Sequence, residues 1–296
     1  MRAAVVRSFG GPEAVEVVET GVPEPGERQV RIKVAAAALN PVDAGVRSGV
    51  FGAEGQQAGL GWDVAGTVDA VGAGGDWAVG DEVVALAAGF GGPLGTHAEY
   101  VVVDADAVAA APKSVDAVAA ATLPLNALTA AQALDLLELK PGQSLLVTGA
   151  AGAVGGYAVQ LAARQGITVT GLARAEDEDL VRSLGAASFS SGAVVAGSVD
   201  GVLDAALLGA AALDWLRDGG AFVSAIPGAA PEPVRGVRTV SVSVSADGAR
   251  LAELSGLVDE GVLTLRVAGT FPLAEAAKAH ARLAEGGVRG RLVLVP

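Results

Sequence analysis

The segment that most constrains the fold spans residues 144–166 and reads SLLVTGAAGAVGGYAVQLAARQG. Its apolar run 145–147 predicts a short buried strand, and apolar residues at helical spacing from Val154 onward predict a helix ending near Gly166. The turn between them contains Gly149, Gly152 and Gly155. A glycine turn between a strand and a helix lets backbone N–H groups approach a pyrophosphate, whose charge the helix N-terminus also favours. The segment therefore predicts dinucleotide binding.

Small residues in such a turn also let a helix pack closely on a strand, so the glycines alone are weak evidence. Here a second strand predicted at 167–173 completes the strand–helix–strand unit that dinucleotide sites require. The residues expected to contact the dinucleotide are Ala150, Gly152, Ala153, Val154 and Gly155, together with Ile226 after the predicted strand 221–225.

The end of the second predicted strand indicates which dinucleotide binds. Sites that prefer NAD place Asp or Glu there to hold the ribose 2′-hydroxyl. This chain has Leu172 and Ala173 at that point, followed directly by Arg174. A guanidinium can hold a 2′-phosphate through two parallel hydrogen bonds. The sequence therefore predicts NADPH, the alternative being that Arg174 is an ordinary solvated loop residue.

Composition excludes several classes of protein. A chain of 296 residues is long enough for about two domains with full cores. No uninterrupted apolar stretch approaches the ~20 residues that span a bilayer, and the N-terminus becomes acidic too soon for a secretory signal. The net charge of -13 argues against nucleic acid as a partner, and the absence of Cys agrees with a cytoplasmic location. We therefore expect a soluble, cytoplasmic enzyme.

The chain changes character near residue 117. Before it, short β-branched runs are separated by glycine- and proline-rich turns; they lie at 3–7, 15–19, 30–36, 64–71, 82–87 and 99–103. Residues 118–137 favour helix, and strand and helix patterns then alternate to about residue 228, which predicts a parallel sheet. A short helix and a closing strand are expected at the C-terminus.

Several segments together resemble one family. They read VRIKVAAAALNPVDAGVRSG, GLGWDVAGTVDAVGAGG, VGDEVVAL, GTHAEYVVV, AATLPLNALTAAQAL, LKPGQSLLVTGAAGAVGGYAVQLA and FPLAEAAKAHARLAEGGVRGRLVLV. In this order they resemble the zinc-independent medium-chain dehydrogenases/reductases of the quinone oxidoreductase (zeta-crystallin-like) branch. The resemblance implies an α/β fold with a GroES-like β-barrel catalytic domain at 1–117, completed by 262–296. It also implies a Rossmann domain at 118–261, NADPH between the domains, and commonly a homodimer.

Zinc-dependent relatives of that family need cysteine, histidine and acidic ligands. This chain contains no Cys, and its histidines are His97 and His280. Where those relatives carry a histidine and a glutamate, it has Trp62 and Asp63. We therefore predict that the protein holds no catalytic zinc.

Without a metal, hydride addition to a quinone or an activated C=C bond is easier to support than reduction of a simple ketone, because charge delocalises onto a carbonyl oxygen. The resemblance implies that Asn40 and Thr129 lie near the cofactor, and both are candidate catalytic and cofactor-binding residues. Asn40 has a competing interpretation as a turn residue before Pro41. Thr129 could instead satisfy its own helix backbone.

Quinone oxidoreductases often carry tyrosines after the NPVD motif, but this chain reads AGVRSGVFG there. Phe51 and Trp62 are candidates for an apolar substrate pocket, although core packing is the default for either alone. His97 occupies a position that is often aromatic in the family. It is a third catalytic candidate, as a donor near neutral pH, and it could equally pack with Tyr100.

Three functions remain open from the sequence. The first is an NADPH-dependent reductase of quinones or α,β-unsaturated carbonyls, and the second is a non-catalytic NADPH-binding protein of the same branch. The third, an enoyl-thioester reductase, would need a basic patch, for which Arg47 and Lys113 are scattered candidates.

The run 236–245, GVRTVSVSVS, predicts an edge strand that could join two copies into a homodimer. Alternatively, the chain's own loops cover it.

Overall fold

The computed structural model describes residues 1–51, 56–90 and 92–296. They form two compact units. Unit 1 contains Met1–Leu125, Ser245–Gly261 and Leu265–Pro296, and unit 2 contains Asn126–Val244 and Val262–Thr264.

The regular elements among the described residues follow in chain order. The strands are β1 (Arg2–Val6), β2 (Val15–Glu19), β3 (Gln29–Leu39), β4 (Ala58–Gly59), β5 (Asp63–Val71), β6 (Glu82–Leu86), β7 (Tyr100–Asp104), β8 (Val108–Ala110), β9 (Ser144–Thr148), β10 (Thr168–Leu172), β11 (Ser188–Ser190), β12 (Val199–Asp204), β13 (Leu216–Ser224), β14 (Arg238–Ser241), β15 (Val267–Pro272) and β16 (Arg291–Val295). The α-helices are α1 (Pro41–Arg47), α2 (Ala117–Ala120), α3 (Pro124–Leu137), α4 (Ala153–Arg164), α5 (Glu178–Ser183), α6 (Gly248–Asp259) and α7 (Ala276–Ala284). Short 3-10 helices include Ala175–Asp177 and Gly209–Trp215.

Unit 1 is built from β-sheet. Among the described residues, a three-stranded sheet has the order β2-β1-β4, and a seven-stranded sheet runs β15-β16-β3-β5-β6-β8 with β7 also paired to β3. Alternation in β3 buries Val30, Ile32 and Val34, as a strand with one face on the core requires. The apolar runs predicted in this part of the chain all form strands.

Helix α6 belongs to unit 1, whereas the sequence assigned 118–261 to the dinucleotide-binding domain. Its Ser255 hydroxyl donates to the Ala110 carbonyl at 2.8 Å, and the Ser114 N–H donates to the Asp259 carboxylate at 2.8 Å. A side chain on Gly248 would collide with the backbone of Val108. An amphipathic helix can pack on either neighbour, so its spacing does not reveal which one. The other boundary falls within α3, after Leu125.

Unit 2 contains a parallel sheet. Within residues 126–244, all of which the structure describes, six strands lie in the order β11-β10-β9-β12-β13-β14. Leu145, Leu146 and Val147 of β9 are fully buried at its centre, which confirms the predicted α/β alternation. Where the predicted alternation places a helix after β12, the structure has the 3-10 helix Gly209–Trp215.

The predicted edge strand 236–245 is shorter than expected, since only Arg238–Ser241 pair with β13. Its position at the edge of the sheet agrees with the prediction. Across the described part of the chain, none of the helices has the length and apolar character that crossing a membrane demands.

Candidate cofactor and substrate sites

The predicted glycine turn joins β9 to α4 in unit 2. Gly149 adopts φ +62, a left-handed conformation that favours glycine, and its carbonyl accepts the Gly152 N–H at 2.8 Å. Gly152 is the N-cap of α4, so the helix begins at Ala153. The N–H groups of a first helical turn have no partner within the helix. Ala150, Gly152, Ala153, Val154 and Gly155 therefore lie together in one backbone cradle.

Gly155 brings α4 against this turn. A Cβ atom added to it would overlap the Gly149 carbonyl oxygen and come within 3.0 Å of the Ala150 Cα. Real Cβ atoms do not approach backbone so closely, and only glycine fits here. The helix N-terminus consequently offers backbone N–H groups without side chains in the way, which fits the pyrophosphate of a dinucleotide.

Arg174 follows the end of β10, which is hydrogen-bonded to the glycine turn of unit 2. The Ala150 N–H donates to the Leu172 carbonyl at 3.1 Å, and Arg174 follows two residues later. Its guanidinium lies 4.0 Å from the Glu176 carboxylate, and both side chains are well exposed. Such an exposed pair contributes little. The guanidinium is therefore accessible to a 2′-phosphate.

A buried carboxylate fixes the loop after β12, and sequence reasoning missed it. Asp204 accepts hydrogen bonds from the Thr148 hydroxyl at 2.5 Å, the Gly209 N–H at 2.8 Å and the Leu208 N–H at 3.1 Å. The Thr148 oxygen in turn accepts the Ala206 N–H at 3.0 Å. Because the strands are parallel, this loop and the glycine turn lie at the same edge of the sheet.

The two remaining cofactor candidates of unit 2 differ in exposure. Ile226 follows β13 at the carboxyl edge of the sheet, where its side chain is partly exposed and its N–H lies 3.3 Å from the Ser224 Oγ. Thr129 is buried in the second turn of α3. Their contacts with a cofactor stay predictions.

In unit 1, Asn40 belongs to a buried network at the start of α1. Its side-chain Nδ2 donates to Asp63 Oδ2 at 2.6 Å, and its backbone N–H donates to Asp43 Oδ2 at 2.7 Å. The other oxygen of Asp43 accepts the Gly61 N–H at 2.8 Å, and that of Asp63 accepts the Leu125 N–H at 2.6 Å. Two carboxylates therefore hold Asn40 by its main chain and its side chain.

Burial dominates the electrostatics of both carboxyls. It raises the pKa of Asp63 to about 7, against the lowering effects of the Leu125 N–H and the Asn40 amide. Burial likewise raises the pKa of Asp43, while His97 lowers it. Neither group was a candidate functional residue from the sequence, because the partners of Asp63 lie 23 and 62 residues away and the Gly61 partner of Asp43 lies 18 residues away.

The two predicted pocket residues lie on either side of a third aromatic ring, Phe90. The centroid of the Phe90 ring is 4.8 Å from that of Phe51, in a stacked arrangement, and 4.9 Å from that of Trp62, edge to face. Trp62 and Phe90 also line a cavity of about 350 Å³ in unit 1. We call Phe51, Trp62 and Phe90 the aromatic cluster. Gly52, the last residue of the tyrosine-free segment, lies outside the described residues.

His97 is buried and is not among the residues that line this cavity. Its Nε2 donates to the Ala38 carbonyl at 3.0 Å, and its ring centroid lies 6.3 Å from that of His280. Burial lowers the pKa of His280 to about 3, with smaller contributions from His97 and Arg47. This geometry favours packing of His97, and its catalytic role stays a prediction.

Among the described residues, no three His, Cys, Asp or Glu side chains come together as a metal site requires. We expect purified protein to contain no stoichiometric zinc, since a closed or catalytic zinc site needs at least three protein ligands. Elemental analysis and activity after chelator treatment test this expectation. About one zinc per chain, with activity lost on its removal, would contradict it.

Two family models match the chain. Residues 26–113 match the alcohol dehydrogenase GroES-like domain, and residues 179–294 match a model described as zinc-binding dehydrogenase. The second description names a metal for which the residues above provide no ligand set. The matches agree with the β-rich unit 1 and the parallel sheet of unit 2.

Full-length relatives agree as well. An NADPH-dependent alkenal/one oxidoreductase of Arabidopsis thaliana is 36% identical over all of this chain and 80% of its own length. A quinone oxidoreductase of Pseudomonas aeruginosa is 32% identical over 98% of both chains. A mycobacterial protein solved in complex with NADPH is 28% identical and superposes with a TM-score of 0.83, with both chains fully covered. The chain therefore belongs to the medium-chain dehydrogenase/reductase superfamily, in its quinone oxidoreductase branch.

Proposed function

We propose that this protein is an NADPH-dependent reductase of quinones or α,β-unsaturated carbonyls that works without a metal. The observation that carries the proposal is the arrangement at the start of β5. Trp62 lines a cavity together with Phe90, and the next residue, Asp63, holds the Asn40 amide. An aromatic side chain of the cavity wall and the carboxyl group that holds the Asn40 amide thus come from adjacent residues, and a flat acceptor bearing a carbonyl needs both an aromatic surface and a fixed polar group.

The chain's own residues divide the work. The cradle around Gly152 and the Arg174 guanidinium would hold the cofactor, which supplies a hydride when bound. The aromatic cluster would stack on the flat acceptor and exclude water from it. Asn40 carries an amide that can donate a hydrogen bond to the acceptor oxygen, where negative charge develops. The names of the relatives, an alkenal/one oxidoreductase and a quinone oxidoreductase, support this substrate class.

An enoyl thioester on a carrier is a weaker candidate. Its phosphopantetheine arm would need exposed basic side chains, but Arg47 is only 8% exposed. Of these two basic residues, only Lys113 is exposed. The proposal therefore favours free quinones and enones.

Oxidation of NADPH, followed at 340 nm with naphthoquinones, alkenals, enones and simple ketones, tests the function. We expect turnover with the conjugated acceptors and none with the ketones. The saturated analogue of each enone is the matched control. Cofactor binding without turnover of any acceptor would instead support a non-catalytic member of the branch.

The Arg174→Ala variant tests cofactor choice. We expect NADPH binding to weaken by about 1.5–3 kcal/mol, the contribution of a charge-assisted hydrogen bond, and NADH binding to hardly change. Arg182→Ala is the control, because Arg182 pairs with Glu178 on the exposed face of α5. Fluorescence titration measures both affinities. Equal losses for NADPH and NADH would show that Arg174 does not read the 2′-phosphate.

A homodimer joined through β14 is also proposed. The Val242 N–H donates to the Ser224 carbonyl at 2.9 Å, so it faces β13, and alternation turns the Thr239 N–H towards the free edge. We expect Thr239→Pro to shift the protein towards monomer, whereas Thr239→Ala, which keeps the N–H, should not. Light scattering decides. A wild-type mass near 29.0 kDa rejects the dimer, and twice that mass supports it.

A further inference from the structure

Asp63 is a fully buried carboxyl group whose two oxygens have different partners. Oδ2 accepts from the Asn40 amide and Oδ1 accepts from the Leu125 N–H, each at 2.6 Å. The first partner is the N-cap of α1 and the second lies in the first turn of α3. One side chain at the beginning of β5 therefore holds two residues of unit 1 that are far apart in the chain, Asn40 and Leu125.

The charged groups around Asp63 do not offset the free-energy cost of burying its carboxylate. The Asp43 carboxyl of α1 raises the pKa of Asp63, and the Arg291 guanidinium of β16 lowers it by less. Burial raises the pKa of Asp43, and His97 lowers it. Burying a carboxylate costs free energy that an apolar residue at the start of a buried strand would not incur. A group kept at such a cost is a candidate for a functional role.

We propose that Asp63 is a positioning residue, which fixes the orientation of the Asn40 side-chain amide for the acceptor. The proposal rests on the function proposed above for Asn40. A side-chain amide has an NH₂ group at one end and an oxygen at the other. Only the NH₂ group can donate a hydrogen bond to a carboxylate, which would repel the amide oxygen. The bond to Asp63 thereby sets which end of the amide is the NH₂ group and which is the oxygen.

The Asn40 amide itself can report on this bond, independently of turnover. The chain has two asparagines, Asn40 and Asn126. Selective ¹⁵N-asparagine labelling therefore gives two side-chain NH₂ signals in an NMR spectrum, and Asn40→Gln assigns them by removing one. We expect the Asn40 signal of the wild-type protein to titrate with a midpoint near pH 7, because protonation of Asp63 removes the charge from its acceptor.

Asp63→Asn is the matching variant, because it keeps the shape and removes the charge. This variant adds a third side-chain NH₂ signal, so its Asn40 signal is assigned by combining it with Asn40→Gln; that signal should differ from the wild-type signal and no longer titrate near pH 7. In the activity assay, the kcat of Asp63→Asn should fall about 10- to 100-fold, the effect of a misplaced reacting group, with a smaller change in KM. The wild-type kcat should rise through pH 7 as Asp63 ionises, and the variant should lose that rise. Asp200→Asn, which removes a carboxylate bonded to Ser144 in unit 2, is the control and should change neither readout.

The outcomes separate cleanly. An Asn40 signal that ignores both pH and Asp63→Asn overturns the proposal, and the wild-type titration decides this even if the variant does not fold. A coupled signal combined with kcat within about twofold of wild type also overturns it. A wild-type protein that turns over no acceptor would contradict the proposed reductase function. The NMR titration would then be the remaining test of whether Asp63 holds Asn40.

Discussion

Replacing Gly155 with alanine should weaken NADPH binding on the order of 100-fold. The added Cβ would overlap the Gly149 carbonyl oxygen, so α4 must move away from the turn. That movement displaces the backbone N–H groups of the first helical turn from the pyrophosphate. Hydrogen bonds to charged groups contribute about 1.5–3 kcal/mol each, and the loss of one or two of them accounts for a 100-fold effect.

Gly256→Ala is the matched control for this variant. Gly256 also lies within a helix, α6, but a Cβ added there meets nothing within 4 Å. The substitution should stabilise the protein by about 0.5–1 kcal/mol and leave cofactor affinity unchanged. Fluorescence titration gives the dissociation constants, and thermal unfolding checks that both variants fold. A Gly155→Ala protein that binds NADPH like the wild type would show that the cradle is not the pyrophosphate site.

Asp63→Asn should also change how stability depends on pH. The pKa of Asp63 is about 7 in the folded protein, against an ordinary value of 3.8 for the unfolded chain, so between these values the folded protein binds an extra proton. Stability contributed by this group is therefore present at low pH and declines as pH rises towards 7. Between pH 5 and pH 8 the wild type should lose about 3 kcal/mol relative to the variant, at about 1.4 kcal/mol per pH unit until Asp63 ionises.

Urea unfolding at pH 5 and at pH 8 measures this difference. Subtracting the variant from the wild type removes contributions that both share, such as the lowered pKa values of Glu99 and Asp200. Those two groups act in the opposite direction, because their stabilisation is lost as pH falls. Parallel stability curves for the wild type and Asp63→Asn would mean that burial does not raise the pKa of Asp63.

Features that depend on neighbouring residues were predictable from the sequence. The strand, the glycine turn and the helix at 144–166 form as expected, because the periodicity and the glycines act within one continuous segment. The aromatic cluster was predictable only in part. Phe51 and Trp62 were candidates, but Phe90 joins them from a later loop, and no local pattern indicates that contact.

Long-range polar contacts escaped prediction for the same reason. The Asp63 carboxylate and the Leu125 N–H are separated by 62 residues, and Thr148 and Asp204 by 56. Helix α6 looked like part of the dinucleotide-binding domain because it follows that domain in the chain, yet its apolar face packs in unit 1. Sequence spacing alone predicts elements far better than it predicts which distant elements meet.

Deuterium transfer from NADPH to an enone tests the central claim most directly. The protein is incubated with NADPH deuterated at C4, on each face in turn, and the product is examined by mass spectrometry and NMR. The proposed function predicts one deuterium at the β-carbon of the saturated product from one of the two cofactors and none from the other. No reduced product, or product without deuterium from either cofactor, would contradict direct hydride transfer to the conjugated acceptor.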